Sequence, residues 1–319
     1  MRHTSLIMAC LACLALPATA LAQTVTPVAL SPDPSVTRTG QLVYRGGVSI
    51  DMDHEGFGGL SALELSEDGS RMLAISDSAW WVKAEIVWTE TNELATVRNI
   101  RIDAMLDPDG EPLEGRMADS EGLTRGYGPD YLVSFEREHR IWAYPIGEDW
   151  AATGSALPRP FSTPATARYL GNNRGLESLA RLPDRSIIAG VEYPSTFLPN
   201  HTIWRLPLAG EWEDNQLTPT PTFGLTGLAE HDGQVYALER FWARGVGNRI
   251  RIRRFAAAEL SAWPVQAETI GALDPPMTVD NFEGISVIER NGETLVLILS
   301  DDNFSDNQRT LLLAFAVEE

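Results

Sequence analysis

Cysteine is confined to Cys10 and Cys13, both inside the first 22 of 319 residues. That opening stretch reads as an export signal. Arg2 and His3 form a charged head, residues 6–16 an apolar run too short to span a bilayer, and Ala20-Leu21-Ala22 a cleavage site before Gln23. Cleavage after Ala22 would leave a chain without a thiol. Disulfides, a cysteine nucleophile and thiolate metal sites are thereby excluded. Lysine is scarcer still, with Lys83 alone, so every other cationic side chain is arginine. Removing Arg2 with the signal takes 25 cationic side chains to 24 against 44 acidic ones, a net charge of −20. Nucleic acid and anionic membrane are poor partners for such a surface. After the signal, histidine is sparse and scattered over His54, His139, His201 and His231, with no H-E-x-x-H pair. Only His54, beside Glu55, stands near a repeated phrase as a candidate base. There is no G-x-S-x-G elbow, Walker loop or dinucleotide fingerprint in a strand–helix setting.

What is present is a repeat. Gly59-Leu60-Ser61, Gly122-Leu123-Thr124, Ser178-Leu179-Ala180, Gly227-Leu228-Ala229 and Gly284-Ile285-Ser286 recur at intervals of 63, 56, 49 and 57 residues. Such intervals exceed helical repeats of about 34 residues and suit four-stranded propeller blades with enlarged loops. A turn signal and a second apolar run follow each copy. Asp68-Gly69, Asp232-Gly233 and Asn291-Gly292 between apolar runs are the strongest local hairpin signals. Five hairpins with no long helical period between them give an all-β fold, a β-propeller. Five phrases are visible. Six blades are expected, within a range of five to seven, with the sixth unit drawn from residues 82–115. Residues 41–50 are expected to supply a strand closing the ring onto residues 311–317. The organisation is therefore a signal over 1–22, a lead-in over 23–40 and one propeller domain over 41–319.

Acids recur with the phrase. Glu121, Glu177 and Glu283 directly precede three copies. Asp77, Glu136, Glu192, Glu239 and Asp301 follow the next apolar run, with Asp302 and Asn303 adjoining the last. Innermost strands run along a propeller's channel, so equivalent positions converge at one mouth. Converging carboxylates need protons or a cation. Oxygen ligands without cysteine select a hard ion, calcium before magnesium. The first three glutamates are the catalytic candidates and Asp77, Glu136, Glu192, Glu239, Asp301, Asp302 and Asn303 the candidate metal ligands. Arg137, Arg174, Arg240, Arg249 and Arg309 are candidates for holding an anionic substrate. The same acids could instead form ion pairs between blades, and the Gly-Leu core of the phrase is blade architecture. Of the nine tryptophans, Trp80, Trp81, Trp142, Trp204 and Trp242 are expected to pack between blades.

The segments Asp119-Ser120-Glu121-Gly122-Leu123, Asn173-Arg174-Gly175-Leu176-Glu177-Ser178, Leu238-Glu239-Arg240-Phe241 and Asn281-Phe282-Glu283-Gly284-Ile285-Ser286 resemble the secreted phytase-like family, the "esterase-like activity of phytase" family. The stretch from Leu299 to Arg309, with Asp301-Asp302-Asn303, carries the most specific likeness. The resemblance implies a propeller and hydrolysis of an ester or phosphoester. The lysine-rich phosphate cluster of calcium-dependent propeller phytases has no counterpart here. The expected protein is a periplasmic or secreted monomer acting with Ca2+ on a small anionic or ester substrate. It neither binds nucleic acid nor inserts in a membrane after signal removal. A non-catalytic binding propeller with a structural calcium, and a lactonase-like propeller, are the alternatives.

Overall fold

The computed structural model describes residues 23–172, 174–194 and 199–318; the expected export signal over 1–22 lies outside the described residues. All five expected inner hairpins are present. Their innermost strands are Leu60–Leu65, Ser120–Arg125, Leu176–Arg181, Gly224–His231 and Asn281–Arg290, one per blade. Each pairs antiparallel with the strand that follows its turn. At Asp232-Gly233 and Asn291-Gly292 both turn residues have positive φ, the geometry that matches the twist of a two-residue hairpin.

There are five blades, not six. Residues 82–115 do not form a further unit. They continue blade 1 through its long third and fourth strands, Trp80–Trp88 and Leu94–Ala104, and then a connecting loop. Closure of the ring follows the sequence expectation. Leu42–Met52 lies alongside Thr310–Val317 as the outer strand of blade 5, with Leu312 opposite Val48 and Val317 opposite Leu42. Gln23–Pro27 adds a further strand outside it.

The packing repeats the same number. Five hydrophobic clusters each join two neighbouring blades, and together they close the circle. Trp81 and Trp142 lie between blades 1 and 2, and Trp204 between blades 2 and 3. Trp242 departs from expectation, being 61 % exposed. Trp80 is half-buried beside a surface cavity.

A register skip in each innermost strand sets the site. The ladder omits Ser61, Glu177, Thr226 and Glu283 in blades 1, 3, 4 and 5, and Glu121 with Gly122 in blade 2. A bulge re-aims the extra residue and is favoured beside functional sites. The residue after the bulge is small in every blade: Ala62, Gly122, Ser178, Gly227 and Gly284. Here five strands come closest to the axis. A Cβ on Gly227 would lie 2.6 Å from the Glu283 carbonyl oxygen, and one on Gly122 would lie 3.1 Å from Leu179. The cavity among these strands measures about 10 Å³, room for about one water. The innermost strands thus leave little open space at this level.

Candidate functional site

Counted from the bulge, the blades present equivalent positions that differ from the phrase alignment. Bulge residues are Ser61, Glu121, Glu177, Thr226 and Glu283. One strand later, at the mouth, stand Asp77, Glu136, Glu192, Arg240 and Asp301. Glu239 does not belong to this ring. It is fully buried, 2.7 Å from Arg253 and 3.8 Å from His201, and it accepts the Thr220 backbone N–H. Its place at the mouth is taken by Arg240.

The non-acidic bulges position the acidic ones. The Ser61 hydroxyl donates to the Ser120 carbonyl at 2.7 Å, and Thr226 donates to the Phe282 carbonyl at 3.2 Å. In blade 2, Ser134 donates to the Leu176 carbonyl at 2.6 Å. Each of these carbonyls belongs to the residue immediately before Glu121, Glu283 or Glu177. A hydroxyl from the preceding blade therefore anchors the backbone that aims each glutamate.

These side chains meet. Ligand atoms of Asp119, Glu121 and Glu136 all lie within 4.8 Å of one another. Glu136 faces Glu177 and helps to raise its pKa, and it accepts the Gly175 N–H. Arg240 stands 3.0 Å from Glu192 and 3.5 Å from Glu283, and donates to Asn281. Asn281 in turn donates at 3.0 Å to both Glu283 and Asp301. Arg137 Nε lies 2.7 Å from Asp119 Oδ2, although that buried oxygen accepts no well-directed hydrogen bond. Asp119 is the residue that sequence reasoning missed. It lies within the family-like phrase, but the register that exposes its role is set by the bulge.

Other candidates stand further out. Asp302 holds a turn, accepting the Gly59 and Phe304 backbone N–H groups and the Thr310 hydroxyl. The Asn303 amide reaches Gln308. Arg249 pairs with Asp274 at 3.0 Å on the third strand of blade 4, away from the acids. Arg309, half-exposed, faces Asp280 at 3.7 Å. Arg174 is exposed in the loop before Gly175. The structure brings Asp77, Glu121, Glu136, Glu192, Arg137 and Arg240 together with Glu177, Glu283 and Asp301. It leaves out Glu239 and Arg249.

Among the described residues the mouth thus gathers eight carboxyls, those of Asp77, Asp119, Glu121, Glu136, Glu177, Glu192, Glu283 and Asp301. Two guanidinium groups are ion-paired with them, those of Arg137 and Arg240. Burial, reinforced by neighbouring acids, pushes Glu121 and Glu177 well above the ordinary carboxyl range. Burial also raises Glu283 to about 8 even though Arg240 opposes it, and Asp301 to about 7. Asp119 rises to about 6 through burial, with Arg137 opposing. The centre must therefore hold protons or a cation at neutral pH.

Below pH about 4 these groups are protonated whether folded or unfolded, and no penalty exists. As pH rises from about 4 to about 8 the folded state keeps protons that the unfolded chain has lost, so stability falls. In chelator, Tm should drop between pH 5 and pH 8.5 by about 6–10 °C, from about 3–5 kcal/mol at roughly 2 °C per kcal/mol. Added calcium should flatten that slope. Scanning calorimetry checks this, and a Tm rising over that range would contradict it.

The chain matches the family described as "Phytase-like: Esterase-like activity of phytase" over residues 55–304. Curated proteins give no match. Among solved structures it is similar to the phage phi92 endosialidase, with 10 % identity over 87 % of this chain and 54 % of that one and a TM-score of 0.42. It is similar to an endo-arabinase from Bacteroides thetaiotaomicron, with 13 % identity over 82 % and 94 % of the two chains and a TM-score of 0.48. An α-L-arabinofuranosidase from Clostridium thermocellum gives 10 % identity over 82 % and 90 %, with a TM-score of 0.47. Identities this low say nothing of this chain's substrate. The family match spans most of the chain, which is a five-bladed propeller of the phytase-like family.

Proposed function

We propose that this protein is an exported hydrolase of ester bonds, in phosphoesters or carboxylic esters, working with a hard divalent cation at the acidic mouth. One observation carries the reading: eight carboxyls from four blades converge on one mouth, with Asp119, Glu121 and Glu136 ligand atoms within 4.8 Å of one another. The donor set fits such an ion, being all oxygen, largely buried and paired with only two guanidinium groups against eight carboxyls. Asp119, Glu121 and Glu136 would hold it, with Glu177 alongside, and calcium suits this flexible all-carboxylate set better than magnesium. A bound cation would supply Lewis acidity toward an ester or phosphoryl oxygen.

The chain's own groups supply the rest. Arg137, about 40 % exposed beside Asp119, can hydrogen-bond an oxygen that gains negative charge. Glu283 keeps its proton to about pH 8 and touches solvent, so it can return a proton to a leaving oxygen. Arg240 holds Glu192 and Glu283 apart from the remaining acids and fixes their orientation. The N-terminal 22 residues support placement in the periplasm or outside the cell.

Purified protein should hydrolyse an aryl acetate or an aryl phosphate, lose that activity in chelator and regain it with calcium. At 100-fold excess over its dissociation constant, calcium should also raise Tm by about 5 °C, from about 2.7 kcal/mol. No turnover on either substrate, with the calcium effect on Tm intact, would replace this reading by a structural cation. Cleavage of an aryl lactone alone would replace it by a lactonase.

A further inference from the structure

Beside the acidic mouth lies a cavity of about 560 Å³ that shares Asp77, Asp119 and Arg137 with it. Its distinguishing feature is a pair of aromatic side chains, Trp80 and Phe304, resting on one glycine-rich segment, Glu55-Gly56-Phe57-Gly58-Gly59. A Cβ on Gly56 would lie 2.4 Å from the Trp80 ring. One on Gly58 would lie 2.9 Å from the Phe304 ring, and one on Gly59 would lie 2.6 Å from it. Only glycine lets both rings lie on that backbone.

Phe304 is there against its own preferences. It is 52 % exposed, and it and Asn303 both have φ of +49°, a region that disfavours bulky residues. The turn is tied down from outside. Asp302 accepts the Phe304 N–H at 3.0 Å and the Gly59 N–H at 3.1 Å, and its other oxygen accepts the Thr310 hydroxyl at 3.0 Å. On the other side His54 meets Trp80 edge-on at 5.6 Å and accepts the Gly56 N–H. An exposed aromatic held in a strained backbone by a fixed network is expected where a ligand is held.

The remaining lining says which ligand. Glu55 and Glu114 offer hydrogen-bond acceptors, as do Asp77 and Asp119 toward the acidic mouth. The only cation among these lining residues, Arg137, is already paired with Asp119. A polyphosphorylated ring would meet four carboxyls, and a fatty chain would strip water from acceptors without replacing it. Hydroxyls would donate to those acceptors while ring faces stack on Trp80 and Phe304.

We infer that this cavity binds a neutral, hydroxylated six-membered ring, of sugar or cyclitol type, and presents an ester on that ring to the acidic mouth. The inference rests on the ester-hydrolase reading for the second half only. Two measurements separate the halves. In chelator, myo-inositol and methyl glucoside should change the tryptophan fluorescence of the full mature chain, and myo-inositol hexakisphosphate should not. The Trp80→Ala change should abolish the response, and Phe304→Asn, which suits the left-handed turn, should weaken binding about five- to tenfold while leaving Tm in place. With calcium present, the same two changes should raise KM for acetylated glucose by a similar factor, with kcat and ethyl acetate hydrolysis unchanged. Binding of neutral rings without any turnover would keep the ring site and remove the hydrolase. Turnover of both esters unaffected by either change would keep the hydrolase and overturn the ring site. So would hexakisphosphate binding more tightly than inositol in chelator.

Discussion

Glu121→Gln should stabilise the metal-free protein while disabling it. Glu121 is crowded by acids at the mouth: burial raises it first, then Glu283, Glu136, Asp119 and Asp77. Glutamine keeps the volume and can still hydrogen-bond, but it removes one ionisable group from a site where eight carboxyls face two paired guanidinium groups. In chelator at pH 8, relief of that repulsion should raise Tm by about 2–4 °C, equivalent to about 1–2 kcal/mol. The calcium-induced rise in Tm should shrink toward zero, because one of three carboxyls within 4.8 Å has gone. Hydrolysis should fall by roughly 10²–10⁴-fold, the range for losing a group that acts in the reaction. The pairing of opposite signs is diagnostic. A glutamate serving only as an interblade ion pair would lose stability on neutralisation. Glu239 gives a structural comparison inside the same molecule, since it is buried against Arg253 of its own blade and its glutamine variant should lose stability. If Glu121→Gln lowers Tm in chelator and leaves hydrolysis intact, the carboxyl is structural.

The legible parts of the fold were those that depend on local chemistry. Turn residues between apolar runs, Asp-Gly or Asn-Gly in three blades and Pro-Asp in the other two, gave every inner hairpin, and matching apolar runs at the two ends gave the closing strand. Blade count failed because blade 1 spends two strands of 9 and 11 residues on a stretch that reads as a further repeat. The site was legible in kind but displaced in detail. A bulge adds one residue to a strand without changing its composition, so matching Gly-Leu phrases cannot reveal it. In blade 1 the phrase at Gly59 is three residues early, and Ala62-Leu63-Glu64 is the true counterpart of Gly122-Leu123-Thr124. In blade 4, counting from the end of the apolar run selected Glu239, whereas counting from the bulge selects Arg240. Asp119 was hidden for the same reason. Its partner is Glu136, whose backbone N–H donates to the Asp119 carbonyl at 2.8 Å across the mouth of blade 2.

Gly227→Ala should be among the most damaging single-methyl additions, and it should damage both stability and the site. The added carbon would stand 2.6 Å from the Glu283 carbonyl oxygen and 2.8 Å from Ile285, both in the next blade. The first contact is with backbone, which cannot rotate aside, so blades 4 and 5 would have to part. Overpacking of this kind costs about 1–3 kcal/mol, which at roughly 2 °C per kcal/mol lowers Tm by about 2–6 °C. The structural counterpart in blade 1 is already alanine, Ala62, so the limit is set by the neighbouring blade and not by backbone dihedrals. The same displacement moves the bulge that aims Glu283 and strains the Thr226 hydroxyl bond to the Phe282 carbonyl. Hydrolysis should therefore fall at temperatures well below the melting transition, chiefly in kcat, because a misplaced proton donor costs more than a misplaced binding group. Thr226→Val, which removes that hydroxyl bond and keeps the side-chain shape, should reproduce the loss of kcat with a smaller loss of Tm. A Gly227→Ala protein with unchanged Tm and kcat would mean that the innermost strands do not pack through this contact.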